Sequence, residues 1–74
     1  SLTSKKFRIN MITLGGVYTG QNKFFVNKYI NKVPVKKMVD LNEIEECLKW
    51  LIFESPIIIN GSDFLIDGGW SLAN

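Results

Sequence analysis

The sequence predicts an α/β fold in which two parallel strands are joined by a long helical crossover. Three observations carry this reading. Phe7, Ile9 and Met11 alternate with Arg8, Asn10 and Ile12, the period of a strand. Ile44, Cys47, Leu48, Leu51 and Ile52 recur at i, i+3, i+4, i+7 and i+8, one stripe of a helix. Phe64-Leu65-Ile66 is a short apolar run bounded by Asp63 and by Asp67-Gly68-Gly69, which reads as a buried strand. Strands joined by a helical crossover run parallel, with a right-handed connection.

Each element follows in order. A strand is expected over about 7–12. Thr13-Leu14-Gly15-Gly16 breaks it, because paired glycines permit tight backbone geometry, and a loop is expected over about 13–20. From about 21 to 32, Phe25 and Tyr29, then Val26, Ile30 and Val33, take helical spacing, with Asn22, Lys23, Asn27, Lys28 and Asn31 on the other face. Pro34 disfavours helix at Val33 and marks a turn. Asp40-Leu41-Asn42-Glu43 opens a second helix, about 40–54, with a capping-box pattern. Trp50 and Phe53 lie more than a quarter turn off its apolar stripe. Pro56 ends it, Asn60-Gly61 is a turn, and the last strand is expected over about 63–67. Two parallel strands alone make a poor sheet, since parallel sheets hold more strands and are covered on both faces. Residues 1–74 are therefore expected to form a single partial domain.

Composition narrows the function. The 74 residues are 46% hydrophobic and 22% charged, which excludes a disordered tail or low-complexity linker. A chain this short buries only roughly 60–65% of its unfolded surface. The net charge is +2 and Arg8 is the single arginine, so nothing argues for nucleic acid. Cys47 is the single cysteine and there is no histidine. An intramolecular disulfide, a zinc site and histidine acid–base chemistry are excluded. No apolar run approaches the roughly 20 residues that span a bilayer, and no signal peptide is evident. A cytoplasmic location and no membrane partner are expected. The chain starts at Ser1, which fits a processed or truncated beginning.

Arg8-Ile9-Asn10-Met11-Ile12-Thr13-Leu14-Gly15-Gly16-Val17 resembles the R-V-N-x-I-x-P-G-x-V stretch of short-chain dehydrogenases/reductases. Lys37-Met38 with Glu43-Ile44 resembles that family's R-M-x-x-P-x-E-I. Ile59-Asn60-Gly61 and Leu65-Ile66-Asp67-Gly68-Gly69 resemble its I-T-G and L-x-V-D-G-G ending. Four blocks stand in family order along nearly the whole chain. They match the carboxyl-terminal portion alone, from the sixth strand of a doubly wound, Rossmann-like parallel sheet to the end, as strand-helix-helix-strand.

The resemblance implies that Gly15 and Val17 lie beside the nicotinamide of NAD or NADP, with Thr19 at a position whose hydroxyl meets the carboxamide or pyrophosphate. This agrees with ligand binding beyond the carboxyl ends of parallel strands. Leu14 stands where the family has proline, and Lys36-Lys37 where it more usually has Gly-Arg. The family's glycine-rich phosphate loop and its Tyr-x-x-x-Lys are absent: Tyr18 is followed four residues on by Asn22, and Tyr29 by Val33. No catalytic or metal-binding residue is therefore assigned. The resemblance implies the carboxyl-terminal piece of an NAD(P)-dependent oxidoreductase acting on an alcohol or carbonyl, inactive alone. The alternative is a non-catalytic interaction fragment or gene remnant.

The remaining features have plainer readings. Asp40 and Glu43 read as a helix cap, Cys47 as an inert core thiol, and Asp67-Gly68-Gly69 as a strand-ending turn. Lys23, Lys28, Lys32, Lys36 and Lys37 read as a solvated face, with a phosphate-bearing substrate as the alternative. Phe24, Phe25 and Tyr29 fall on the family's substrate-covering helix, or simply pack that helix down. Trp50, Phe53 and the last strand are expected to mediate self-association or association with an amino-terminal part, as an unpaired edge and exposed aromatics invite a partner.

Overall fold

Pairing between the first and last extended segments sets the frame. In the computed structural model, which describes residues 7–74, β1 (Met11–Leu14) and β2 (Asp63–Ile66) form a two-stranded parallel sheet. Met11 aligns with Asp63 and Leu14 with Ile66. Between them run α1 (Lys23–Ile30) and α2 (Leu41–Lys49), and α2 continues into a π-helical turn at Trp50–Glu54. A single helical turn, α3 (Trp70–Ala73), follows β2. The fold class is α/β.

The ladder starts four residues later than the alternation at 7–12 suggests. The chain before Met11 is held by the Asn60–Gly61 turn instead of by a strand. The Ile9 N–H donates to Asn60 Oδ1 at 3.0 Å, Gly61 N–H donates to the Ile9 carbonyl at 2.8 Å, and Ser62 N–H donates to Asn10 Oδ1 at 3.0 Å. Side chains take the bonds that a ladder would use, so regular pairing begins only where both partners are extended.

Arg8 closes the same region from below. Its guanidinium donates to Ser55 Oγ and the Pro56 carbonyl at 3.0 Å, to the Ile59 carbonyl at 3.1 Å and to the Leu51 carbonyl at 3.4 Å. The end of a helix leaves carbonyls without partners, and the planar fork of arginine gathers several at once.

Both long helices begin on side-chain caps. Asn22 Oδ1 accepts the Phe25 N–H at 2.9 Å, which starts α1 at Lys23. Asp40 and Glu43 exchange reciprocal bonds of 2.9 and 3.1 Å, the capping box read from the sequence. Lys37 Nζ spans both carboxylates at 3.2 and 2.8 Å.

The face that α2 turns inward differs from the predicted stripe. Ile44, Cys47 and Leu51 are half-buried, whereas Leu48 and Ile52 are exposed. Trp50 takes their place, meeting Phe64 of β2 edge to face at 5.9 Å while staying 43% exposed. At 100° per residue the inward face is turned by about 60° toward Trp50. The indole offers more area than either aliphatic side chain, and the bond from Ser55 N–H to the Trp50 carbonyl at 2.7 Å spans a π turn, which resets the spacing behind it. Phe53, 77% exposed, stays outside.

Only one face of the sheet is covered. Ile12, Phe64 and Ile66 face α2, while Phe7, Ile9, Met11 and Leu65 are each more than half exposed. Phe64-Leu65-Ile66 is thus buried on one side, not on both as a continuous apolar run suggests. Cys47 likewise is half-buried beside Trp50, not enclosed in a core. The buried apolar residues are Val33, Met38 and Val39, beyond the carboxyl ends of the strands.

Candidate functional site

Three loops meet at that end of the sheet. Gly15 N–H donates to the Ile66 carbonyl at 3.0 Å, extending the ladder by one bond. Val17 then bridges to Val39: Val39 N–H donates to the Gly16 carbonyl at 2.9 Å and Tyr18 N–H to the Val39 carbonyl at 2.8 Å. Val35 N–H donates to the Gly68 carbonyl at 3.1 Å and brings in the third loop. Fully buried Val33 lies beneath, so close to Gly68 that a Cβ there would come within 2.9 Å of Val33 Cγ1.

Gly16 is the sharp bend of the corner. Its φ is +63°, a left-handed conformation that side chains resist. A Cβ at Gly16 would also overlap the phenol of Tyr29. Tyr29 is itself fixed from above by Trp70, whose ring stacks on it at 4.8 Å and 2°, and Phe25 lies beyond at 6.4 Å. The aromatic stack therefore presses the glycine loop against the strand ends.

Asp67 anchors the opposite wall. It is 8% exposed. Its carboxylate accepts Gly69 N–H at 2.9 Å, Ser71 N–H at 3.0 Å and the Ser71 hydroxyl at 2.7 Å. The Ser71 hydroxyl above all, then the N–H groups of Ser71, Gly69 and Trp70, hold its carboxyl below the usual 3.8, against the opposing effect of burial. Asp67 thus fixes the turn that carries Trp70.

The three residues singled out from the sequence lie on this corner. Gly15 is half-buried against Asp67, Val17 is half-buried against Val39, and Thr19 is exposed. Gln21 supports them: its Nε2 donates to the Val17 carbonyl at 3.1 Å and its Oε1 accepts Thr19 N–H at 2.8 Å. Among the described residues no acceptor pairs with the Val17 N–H.

Sequence reasoning missed Gln21, Ser71 and the pairing of Tyr29 with Trp70. A signal existed for Ser71, since an aspartate two and four residues ahead of free N–H groups across a glycine pair is an Asx-turn pattern. None existed for Gln21 or the stack, which depend on where distant loops meet. Among the described residues no cluster of side chains could hold a metal ion, and no helix is long and apolar enough to cross a membrane.

Comparison with known proteins agrees with this geometry. No family model matches the chain. The Post-translational flagellin modification protein A of Campylobacter coli is 28% identical over 71 residues, which are 96% of this chain and 28% of that protein. A short-chain dehydrogenase from Leptospira borgpetersenii, solved with bound NAD+, superposes with a TM-score of 0.78 at 29% identity, over 88% of this chain and 26% of that one. A short-chain dehydrogenase from Bacillus anthracis gives a TM-score of 0.75 at 24% identity, over 89% of this chain and 27% of that one, and shares the fold. The chain thus spans about a quarter of the length of each. In sequence and in fold, it is similar to that quarter of a short-chain dehydrogenase/reductase.

Proposed function

We propose that this chain is the carboxyl-terminal piece of an NAD(P)-dependent oxidoreductase acting on an alcohol or carbonyl, and that it supplies the nicotinamide-facing corner. The observation that carries the proposal is the left-handed Gly16 bend beyond β1, clamped under Tyr29, with no acceptor for the neighbouring Val17 N–H among the described residues. A free N–H beside a bend with no side chain suits the carboxamide oxygen of a flat ring. Thr19, exposed two residues on, offers a hydroxyl to the same ligand. The cofactor carries the hydride, and the protein binds and orients it. In this role Gly15, Gly16 and Val17 shape the contact, Gln21 holds the Val17 carbonyl, and the corner adds no proton donor.

The residues that anchor a pyrophosphate and move a proton in such enzymes have no counterpart in this sequence, so the chain alone does not turn over. NADH oxidation with a panel of simple carbonyls, above a buffer blank, would refute this. The positive test is a chimera in which residues 7–74 replace the matching quarter of the Leptospira dehydrogenase. It should bind NAD+, measured by calorimetry. A folded chimera without NAD+ binding would overturn the assignment of the corner.

The same reading gives the bare surfaces a partner. The uncovered sheet face of Met11 and Leu65, with exposed Phe7 and Ile9 just ahead of β1, Phe53 and the outer edge of β2, would be covered by the amino-terminal part or by a second copy. The supporting observation is the share of large apolar side chains left exposed, with Phe53 at 77%.

A further inference from the structure

We propose that α1 and Trp70 form a binding groove for a phosphate-bearing ring compound, such as an aryl or sugar phosphate. The groove, about 390 Å³, is lined by Phe25, Lys28, Tyr29, Lys32 and Trp70. Its floor is the ring stack described above, and its rim is Lys28 in the last turn of α1 and Lys32 in the turn that follows the helix.

Charge distribution separates this rim from an ordinary solvated face. Between residues 7 and 39 the sequence has Arg8, Lys23, Lys28, Lys32, Lys36 and Lys37 and no Asp or Glu. Among the described residues the ion pairs are those of Lys37 with Asp40 and Glu43. Lys36 donates to the Asn31 carbonyl at 2.9 Å. Lys28 and Lys32 have no acidic partner there, and Lys28 lies over the Phe24 ring at 5.5 Å. Neither lysine has an Asp or Glu within four residues along the chain, so a counter-charge is left to a ligand.

Two cations on one groove suit a dianion better than a single carboxylate, and a phosphate monoester carries about −1.5 to −2 at neutral pH. Aromatic faces favour a ring on the other end of the ligand. Phosphate on the lysines and ring on the aromatics describes one molecule that satisfies both halves of the groove. The proposal goes beyond the dehydrogenase reading and does not need it: Gly15, Val17 and Thr19 line no part of the groove, and Tyr29 alone is shared with the Gly16 bend.

The test uses the intrinsic fluorescence of Trp70. Trp50→Phe removes the other tryptophan, which packs on Phe64 outside the groove. Phenyl phosphate, inorganic phosphate and benzyl alcohol are titrated separately. Saturable quenching by phenyl phosphate is expected, with each half-ligand weaker by roughly tenfold or more. Lys28→Gln with Lys32→Gln should weaken phenyl phosphate by about tenfold, and Lys49→Gln on α2 should leave it unchanged. Raising salt from roughly 50 to 500 mM should weaken it as well. Equal binding of inorganic phosphate would mean an adventitious ion only, and equal binding of benzyl alcohol a merely greasy patch; either overturns the proposal. So does an effect of Lys49→Gln as large as that of the pair. The titration is repeated on the chimera, where the surrounding sheet is complete, and no saturable change in either protein also overturns it.

Discussion

Replacing Gly16 by alanine should cost more than any other single methyl added to the loops. The first contribution is backbone strain: φ is +63°, and an L-residue there costs about 1–2 kcal/mol. The second is steric. The new Cβ would occupy the space of the Tyr29 phenol, so the ring must leave its stack on Trp70, which lies 4.8 Å away. Breaking such a pair costs about 0.5–1.5 kcal/mol beyond lost area. The sum is about 1.5–3.5 kcal/mol. Gly20 supplies the control, with φ of +88° and no atom within 4 Å of an added Cβ. Gly20→Ala should therefore show the strain alone, about 1–2 kcal/mol.

Urea unfolding followed by circular dichroism measures both, and for a chain of this size 1 kcal/mol moves the midpoint by about 1 M. A double-mutant cycle isolates the steric part. In a Tyr29→Ala background the cost of Gly16→Ala should fall to that of Gly20→Ala, a coupling of about 1 kcal/mol. If Gly16→Ala is no more damaging than Gly20→Ala, or the coupling is zero, the clamp of Tyr29 on the loop is wrong. In the chimera, Gly16→Val should also weaken NAD+ by at least about tenfold; unchanged affinity would mean that the loop is misplaced.

Asp67 has its carboxyl held below 3.8 by Ser71 and three N–H groups, so its contribution is present above the unfolded value and is lost as pH falls through the lower folded one. Acid titration by circular dichroism should show Ser71→Ala unfolding at higher pH than the parent, and coincident curves would refute the link. Asp40 and Glu43, lowered by their capping bonds and Lys37, add to the same acid limb. Arg8→Ala removes the guanidinium from the Leu51, Pro56 and Ile59 carbonyls, which keep only the Ser55 hydroxyl, the Ile59 N–H and the Asn10 amide as donors, and should cost about 1–2 kcal/mol; Arg8→Lys should not restore it, and full rescue by lysine in urea unfolding would count against the forked clamp. Phe53→Lys, at a side chain 77% exposed, should shift sedimentation toward monomer without loss of helical signal, and a parent chain already monomeric at tens of micromolar (roughly where a weak interface shows) would refute self-association there.

Local signals were legible where the cause is local. The Asp40–Glu43 capping box and the bend at Gly15–Gly16 depend on residues within a few positions of one another. The parallel pairing of β1 with β2 followed from a topological rule with few exceptions. What failed to show depended on distant contacts. The inward turn of Trp50 rests on Phe64, fourteen residues later, and a stripe computed for an ideal helix does not anticipate a π turn. The true start of β1 rests on Asn60 and Ser62 taking over the bonds of Ile9 and Asn10. Arg8, unremarkable in a count of charges, proves to hold the far end of the α2 segment across more than forty residues.

These differences share a direction. The buried valines gather at one end of the sheet, where Gly16, Val39 and Asp67 meet, and side-chain bonds from Arg8, Asn10 and Asn60 tie the other, while one sheet face stays bare. Parallel sheets are normally covered on both faces, so the proposed partner would complete the sheet and not the corner. The order inside the corner is set within this chain: Tyr29 over Gly16, Trp70 over Tyr29, Asp67 holding the turn under Trp70. A cofactor contact built from backbone needs that kind of internal fixation, because an N–H on a mobile loop loses its geometric advantage. On the proposed reading the corner is a preorganised contact, and the bare sheet face is where the covering part would add.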